Sequence, residues 1–192
     1  MKQRQDCNKS VKVAWLDEGI LFGLLLIQIA MIAYFNLTDI RNSLDSDCAN
    51  TIYHFREVIR NGTLNLKDWK HTTSMELDAV FLFAWPIYYI VRNIFTAVGI
   101  SNLIYMFLYI VVISGILKCV HVNRKYILIT LCLVLTPYAF GMLDYFNMLF
   151  YGVSYYTLKT LVPLLCIWTL LLLEEKSITR KEQWIKTVVL CM

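Results

Sequence analysis

Two long stretches of this sequence, Ile20 to Phe35 and Ile100 to Leu117, carry no formal charge. Stretches of this kind approach the roughly 17 to 25 apolar residues with which an α-helix crosses the hydrocarbon layer of a bilayer. Hydrophobic residues make up 58% of the chain, and its charged residues, at 17%, are gathered between the apolar stretches. This clustering indicates a membrane protein. We therefore predict an all-α fold, a polytopic bundle of transmembrane helices.

The basic N-terminal flank predicts the orientation of the first helix. Four basic residues lie between Lys2 and Lys12, and no small-residue cleavage site follows the first apolar stretch. We therefore expect a retained helix and no cleaved signal peptide. The positive-inside rule then leaves residues 1–15 in the cytoplasm, takes residues 16–35 across the membrane, and exposes the polar stretch 36–78 outside. The predicted location is the cytoplasmic membrane, with several crossings.

Residues 79–192 are predicted to form the rest of the helical bundle, with five or six crossings in the whole chain. The count depends on segment 79–91, which contains Pro86. If it crosses, the basic clusters at 118–125 and 176–181 lie outside, against the positive-inside rule. If it is re-entrant or merges with the next helix, they lie inside. The last segment stops at Met192 after a few residues, so we expect a truncated bundle. The apolar segments are 79–91, 100–117, 126–143, 157–173 and 184 onward.

The long external loop contains a pattern typical of an amphipathic helix. Cys48, Ile52, Phe55 and Ile59 recur at helical spacing, and Gly62 follows at the position of a helix C-cap. A helix with one apolar and one charged face lies in the membrane interface. We predict such a helix within the loop.

Asp45 and Asp47 stand at the start of this predicted helix. Either carboxylate could cap the helix by accepting backbone N–H groups. Two neighbouring carboxylates could also hold a divalent metal ion against phosphate oxygens. The pattern alone leaves both roles open.

Basic residues around the loop could bind an anionic group. Arg56 and Arg60 lie one helical turn apart, a spacing that could present two guanidinium groups to a lipid phosphate. The alternative is that both side chains extend towards headgroups as anchors. Lys70 with His71, and Arg92, are further candidates for binding an anionic substrate.

The order of these motifs resembles the N-terminal part of GT-C type membrane glycosyltransferases. That family includes the protein mannosyltransferases and the bacterial lipid A aminoarabinose transferases. The resemblance covers about the first half of the chain. Directly after the first apolar helix come Asp45-Ser46-Asp47, the amphipathic pattern, Gly62-Thr63-Leu64, Asp68-Trp69, Glu76 and an apolar segment with Pro86.

The resemblance implies transfer of a sugar from a polyprenyl phosphate to an acceptor hydroxyl on the outer face of the membrane. It implies that Asp47, or the neighbouring Asp45, is the catalytic base. It also implies that Glu76 positions the acceptor or orients an arginine of the loop, and the alternative for Glu76 is an ordinary interfacial carboxylate. Ser46 and Cys48 depart from the commoner Asp-Glu pair, which leaves the choice between the two aspartates open. Some branches of the family use a divalent metal ion and others do not. The implied partners are a lipid-linked sugar donor and membrane lipid.

Two other function classes stay open, a transporter or flippase-like protein and a non-catalytic membrane subunit. A transporter would be expected to have mid-membrane charges or broken helices together with an internal repeat. The sequence has few such charges and no detectable repeat. The net charge is only +4, and no stretch interleaves Lys and Arg with aromatic residues, so we expect no nucleic-acid partner.

Overall fold

The computed structural model describes residues 2–43, 46–63, 79–136 and 157–175, and every regular element in this part of the chain is helical. The predicted all-α class is therefore confirmed for the described residues. A short 3-10 helix, Ile40–Ser43, follows the first α-helix. The α-helices are α1 (Lys2–Thr38), α2 (Ser46–Asn61), α3 (Ala79–Val91), α4 (Ile94–Cys119), α5 (Arg124–Val134) and α6 (Thr157–Glu175).

Helix α4 is the central element, and it packs against α1, α3, α5 and α6. It is apolar on all sides, as expected of a helix with neighbours on several faces. Asn93 begins it, with a side-chain oxygen that accepts a hydrogen bond from the backbone N–H of Thr96 at 3.1 Å. Side chains of all its neighbours meet α4 in one apolar cluster, whose members include Leu25, Ile32, Phe83, Tyr105, Tyr109, Leu131, Leu135 and Leu161.

Helices α1 and α4 are antiparallel and approach closely near one end of the bundle. The side-chain nitrogen of Asn102 donates to the side-chain oxygen of Asn36 at 2.8 Å, and Asn36 in turn donates to the carbonyl of Ile32 at 2.9 Å. Gly99 lies directly against the backbone of Asn36, where a Cβ atom would overlap the carbonyl oxygen. We call this end of the bundle the α2 end, since α2 also packs here.

Two ion pairs join α1 to the start of α5 at the opposite end. Lys125 Nζ lies 2.9 Å from Asp17 Oδ2, and Arg124 Nε lies 3.8 Å from Glu18 Oε2. A hydrogen bond to Asp17 and the negative charge of Asp17 raise the pKa of Lys125. The stability that this ion pair contributes is therefore fully present below the usual lysine pKa and is lost as the pH rises through the raised pKa. We call this end the Asp17 end. From it, α5 runs alongside α1 in the same direction.

Helix α5 covers only the first half of the predicted apolar segment 126–143. It ends at Val134, where the Leu135 N–H bonds to the Leu131 carbonyl, and residues 137–143 lie outside the described part of the chain. The physical reason is Pro137, which disfavours helical backbone at Thr136. The 11 residues of α5 rise only about 16 Å, half the thickness of a hydrocarbon layer.

Helix α6 begins midway along α4 and runs parallel to it. The Tyr109 hydroxyl donates to the carbonyl of Thr157 at 2.7 Å, and further along, Gly115 makes room for the ring of Trp168. Helix α3 instead runs antiparallel to α4, to which only Arg92 and Asn93 connect it. Its Phe83 contacts Tyr105 with ring centroids 5.0 Å apart.

Within the described residues, two helices are long and apolar enough to cross a membrane, Asp17–Thr38 of α1 and α4. The apolar stretches of α3 and α6, Leu82–Val91 and Thr160–Glu174, are shorter. Large apolar side chains of α1 face outward: Ile20 is 63% exposed and Ile27 is 59% exposed. Of the five or six crossings predicted for the whole chain, this part of the chain therefore contains two helices that are long enough to cross.

Substitution of Gly99 by Ala should separate α1 from α4. The new Cβ meets backbone, which cannot rotate away, so we expect a loss of about 2 kcal/mol and a fall in Tm of about 5 °C. The control is Gly23→Ala, because nothing lies within 4 Å of a Cβ at Gly23 and alanine favours the helix. Thermal unfolding in detergent measures both. Equal melting temperatures for the two variants would contradict the close approach.

Candidate functional site

Helix α2 docks at the α2 end through an apolar face. Phe55 and Val58 are fully buried, and the Phe55 ring meets the edge of Tyr88 in α3 at 6.3 Å between centroids. Gly62 ends the helix with a positive φ of 65° and donates its N–H to the Val58 carbonyl, so the predicted glycine C-cap is confirmed. The buried partners of this face are Ile40, Ala84, Ala97 and Val98.

The opposite face of α2 carries the arginines predicted from the sequence. Arg56 and Arg60 are both exposed and lie one turn apart, as their spacing predicts. Arg60 Nη1 lies 4.0 Å from Glu57 Oε1, and the Arg60 side chain is 79% exposed. An ion pair this exposed contributes little stability, so it leaves the guanidinium available to another anion.

Arg92 lies in the turn between α3 and α4 with a backbone conformation that usually favours glycine. Its φ is 57°, and its N–H bonds to the Tyr88 carbonyl, which closes the end of α3. Its guanidinium lies over the Tyr89 ring at 5.8 Å, and that of Arg41 lies over Phe95 at the same distance. The N-terminus of α4, which carries partial positive charge, begins beside these residues.

The structure therefore brings three of the predicted substrate-binding residues, Arg56, Arg60 and Arg92, to the α2 end. Asp47 lies in the first turn of α2. Asp45 and the trio Lys70, His71 and Glu76 lie outside the described residues. In the described part of the chain no group of three or more His, Cys, Asp or Glu side chains is placed to hold a metal ion. A metal ion held by Asp45 and Asp47 remains a prediction.

A second polar region lies midway along the bundle, where three helices stop or start. The last turn of α5 contacts Gln28, near the middle of the apolar part of α1. The first residue of α6, Thr157, contacts Tyr109 near the middle of α4. Helix α3 starts near the same level, since its Phe83 meets Tyr105. We call this region the midway junction.

Gln28 is the main polar group of the midway junction, and it is only 6% exposed. Its Nε2 donates to the Cys132 carbonyl at 3.0 Å and lies 3.4 Å from the Thr136 hydroxyl. Among the described residues, the Oε1 atom of the same amide has no hydrogen-bond partner. A buried acceptor without a partner costs about 1 to 3 kcal/mol, so it marks a position where a ligand or water is favoured.

Several of these groups were missed by reasoning from the sequence. The packed face of α2 contains Ile52, Phe55 and Ile59, as the spacing predicts, and also the buried polar residues Thr51 and His54, which the predicted stripe does not include. Gln28 lies in a charge-free stretch, for which the sequence predicts only an apolar helix. The signal in the sequence that points to Gln28 is its polar side chain within an otherwise apolar helix.

Comparison of the chain with protein-family models, with curated proteins and with solved structures finds no match.

Truncation of Phe55 should release α2 from the bundle. Removing a fully buried phenylalanine costs about 3 to 5 kcal/mol, which would open α2 and expose it to trypsin at Arg56 and Arg60. For Phe55→Ala we expect cleavage there to accelerate by about two orders of magnitude, because cleavage follows the open population.

Tyr53→Ala provides the control for this experiment, since Tyr53 is an aromatic residue of the same helix and is 55% exposed. Its trypsin cleavage should stay close to that of the unmodified chain. Equal cleavage of the two variants would mean that Phe55 does not hold α2 in place.

Proposed function

We propose that the chain is a multi-pass membrane protein and that it acts as a glycosyltransferase of the GT-C type at the outer face of the membrane. The observation that carries the proposal is the arginine-bearing amphipathic helix α2, which is docked beside the N-terminus of α4 and follows a helix long enough to cross a bilayer. The motif order predicts an amphipathic helix after the first long apolar helix, and its docking beside α4 adds support to the proposal. It is suited to an anionic lipid carrier reaching the surface from within the membrane.

The distribution of polar and apolar residues supports the membrane environment. Apolar side chains such as Ile20 and Ile27 face outward, whereas Gln28, Asn36 and Asn102 face inward and are buried. A soluble helix with this pattern would expose its apolar face to water and bury its polar one. In a bilayer the same pattern is favourable, because lipid covers the apolar face and polar side chains join the helices.

The ion pairs at the Asp17 end support a re-entrant α3, one of the two topologies left open by the sequence. The basic N-terminus holds the Asp17 end in the cytoplasm. Lys125 and Arg124 contact Asp17 and Glu18, so the basic α4–α5 turn is also cytoplasmic. Helix α3 then lies on the outer side of the bundle, and its 13 residues rise about 20 Å from the midway junction to the α2 end, where the chain turns into α4.

The proposed reaction uses opposite charges for two tasks. Arg56, Arg60 and Arg92 bind the phosphate of the lipid carrier and stabilise the charge that develops on it as the sugar leaves. Asp47 or Asp45 takes the proton of the acceptor hydroxyl while the hydroxyl oxygen attacks the anomeric carbon of the sugar. The phosphate is already a good leaving group, so positive charge contributes more than acid assistance.

A transporter or flippase-like protein is the second candidate, and one observation favours it. Transporters often build their sites from discontinuous helices that end near the middle of the membrane. In this chain α3, α5 and α6 each begin or end near the midway junction. We propose this function in second place, because the sequence has no detectable internal repeat.

Cysteine labelling tests the proposed topology. In a background without the native cysteines, a membrane-impermeant maleimide should label Asn61→Cys in intact cells but label Val120→Cys only after lysis. Both positions are exposed, so access to reagent is the only difference between them. Labelling of Val120→Cys from outside would show that α3 crosses fully and would overturn the re-entrant topology.

Substitution of the acidic residues tests the proposed reaction. We expect Asp47→Asn, or failing that Asp45→Asn, to slow sugar transfer from a radiolabelled polyprenyl phosphate sugar by about 10²- to 10⁴-fold in isolated membranes, because amide cannot accept the proton. The control is Asp39→Asn, whose Oδ1 accepts a hydrogen bond from Asn42 at 2.6 Å, as an amide oxygen also can. Full transfer activity in both single variants would rule out the assigned base.

A further inference from the structure

We propose that Arg41 and Arg92 form a binding surface for the phosphate headgroup of an anionic membrane lipid. The surface lies at the α2 end, where α3 turns into α4. Arg41, which has no part in the proposed reaction, is the new member of this surface. The inference rests on the membrane environment in the proposed function, but it does not require sugar transfer.

An aromatic ring supports each of the two guanidinium groups. That of Arg41 lies over the ring of Phe95 and that of Arg92 over the ring of Tyr89, each with Cζ 5.8 Å from the ring centroid. Stacking of this kind uses the flat face of a guanidinium and leaves the N–H groups at its edge for a phosphate. Both arginines are exposed, and within the described part of the chain neither forms an ion pair. Their N–H groups are therefore available to an anion.

The fold brings the two stacked arginines to the same turn. Phe95, which supports Arg41, lies in the first turn of α4, three residues after Arg92. The 3-10 helix that carries Arg41 is fixed against this part of α4, since the neighbouring Ile40 is buried in one cluster with Ala97. The start of α4 carries partial positive charge, which adds to the attraction that both arginines exert on an anion.

Exposed apolar side chains adjoin both arginines, and they favour a lipid over a soluble phosphate compound. Ile90, two residues before Arg92, is 82% exposed, and Leu37, four residues before Arg41, is 47% exposed. Each arginine thus follows an outward-facing apolar part of a helix, α3 in one case and α1 in the other. Acyl chains can cover these apolar side chains while the headgroup phosphate reaches the guanidinium groups.

The backbone of Arg92 allows its side chain to be removed without loss of the fold. Its φ of 57° lies in the left-handed region, where glycine is unstrained and arginine is not. Among the described residues, the other non-glycine residue with a positive φ is His121, at 58°, in the turn after α4 at the Asp17 end. Arg92→Gly therefore removes a guanidinium and relieves strain, and His121→Gly relieves the same strain but leaves both arginines in place.

The test measures the melting temperature of the unmodified full chain in neutral detergent micelles that contain either phosphatidylglycerol or phosphatidylcholine. Because the anionic lipid binds the folded chain, phosphatidylglycerol should raise Tm by about 5 °C relative to phosphatidylcholine. Inorganic phosphate, added to the phosphatidylcholine micelles at matched ionic strength, should not raise Tm. Identical melting temperatures in the two lipids, or an equal rise with inorganic phosphate, would overturn the proposal.

Two variants locate the effect at the arginines. Arg92→Gly and Arg41→Gln should each reduce the rise in Tm by about half, because each removes one of two charged groups that donate to the phosphate. In phosphatidylcholine, Arg92→Gly should melt no lower than the unmodified chain, so its weaker response to phosphatidylglycerol does not reflect unfolding. The matched control, His121→Gly, should keep the full rise. A full rise in both arginine variants, or its loss in His121→Gly, would contradict a lipid bound at Arg41 and Arg92.

The result separates this inference from the proposed reaction, because the micelles contain no sugar donor. If phosphatidylglycerol leaves Tm unchanged while Asp47→Asn slows sugar transfer, the lipid surface is wrong and the proposed function stands. If phosphatidylglycerol raises Tm through the two arginines while no sugar is transferred, the lipid surface stands and the proposed reaction is wrong.

Discussion

The contact between α1 and α4 at Gly99 and Asn36 determines the rest of the arrangement. Lipid tails are as apolar as leucine side chains, so helices in a bilayer associate through close packing and through hydrogen bonds between them. Gly99 allows the two backbones to approach, and at that separation Asn102 reaches the Asn36 side chain at 2.8 Å. Close packing and hydrogen bonding therefore act at the same point. Together they set the antiparallel direction and the register of the two longest apolar helices.

Once this register is set, the levels of the shorter helices follow from their lengths. Helix α5 starts at the ion pairs with Asp17 and Glu18, and its 11 residues carry it only as far as Gln28. Helix α3 starts within the bundle and reaches the α2 end before the chain turns. Backbone groups at a helix end inside a bilayer need partners. Gln28 provides one for α5, which is why a polar residue is stable midway along an apolar helix.

The sequence predicts the local features well because their causes are local. The all-α class follows from charge-free stretches, and the end of α2 follows from Gly62, which alone among nearby residues adopts the required positive φ without strain. The early end of α5 also has a local signal in Pro137, but the hydropathy of the apolar segment continues past this residue and hides the signal. Pairings such as Asn36 with Asn102 and Gln28 with Cys132 join residues far apart in the chain. One sequence does not reveal which polar residue of an apolar stretch meets which partner.

The candidate site was predictable to the same extent. The spacing of Arg56 and Arg60 identifies a shared face of a helix, and the structure has both exposed on α2. The spacing also predicts the face at Ile52, Phe55 and Ile59 that packs on the bundle, but it does not predict the burial of Thr51 and His54, which are polar and give no apolar signal. The place of Arg92 at the same end of the bundle depends on how α3 turns into α4, which is a matter of tertiary structure.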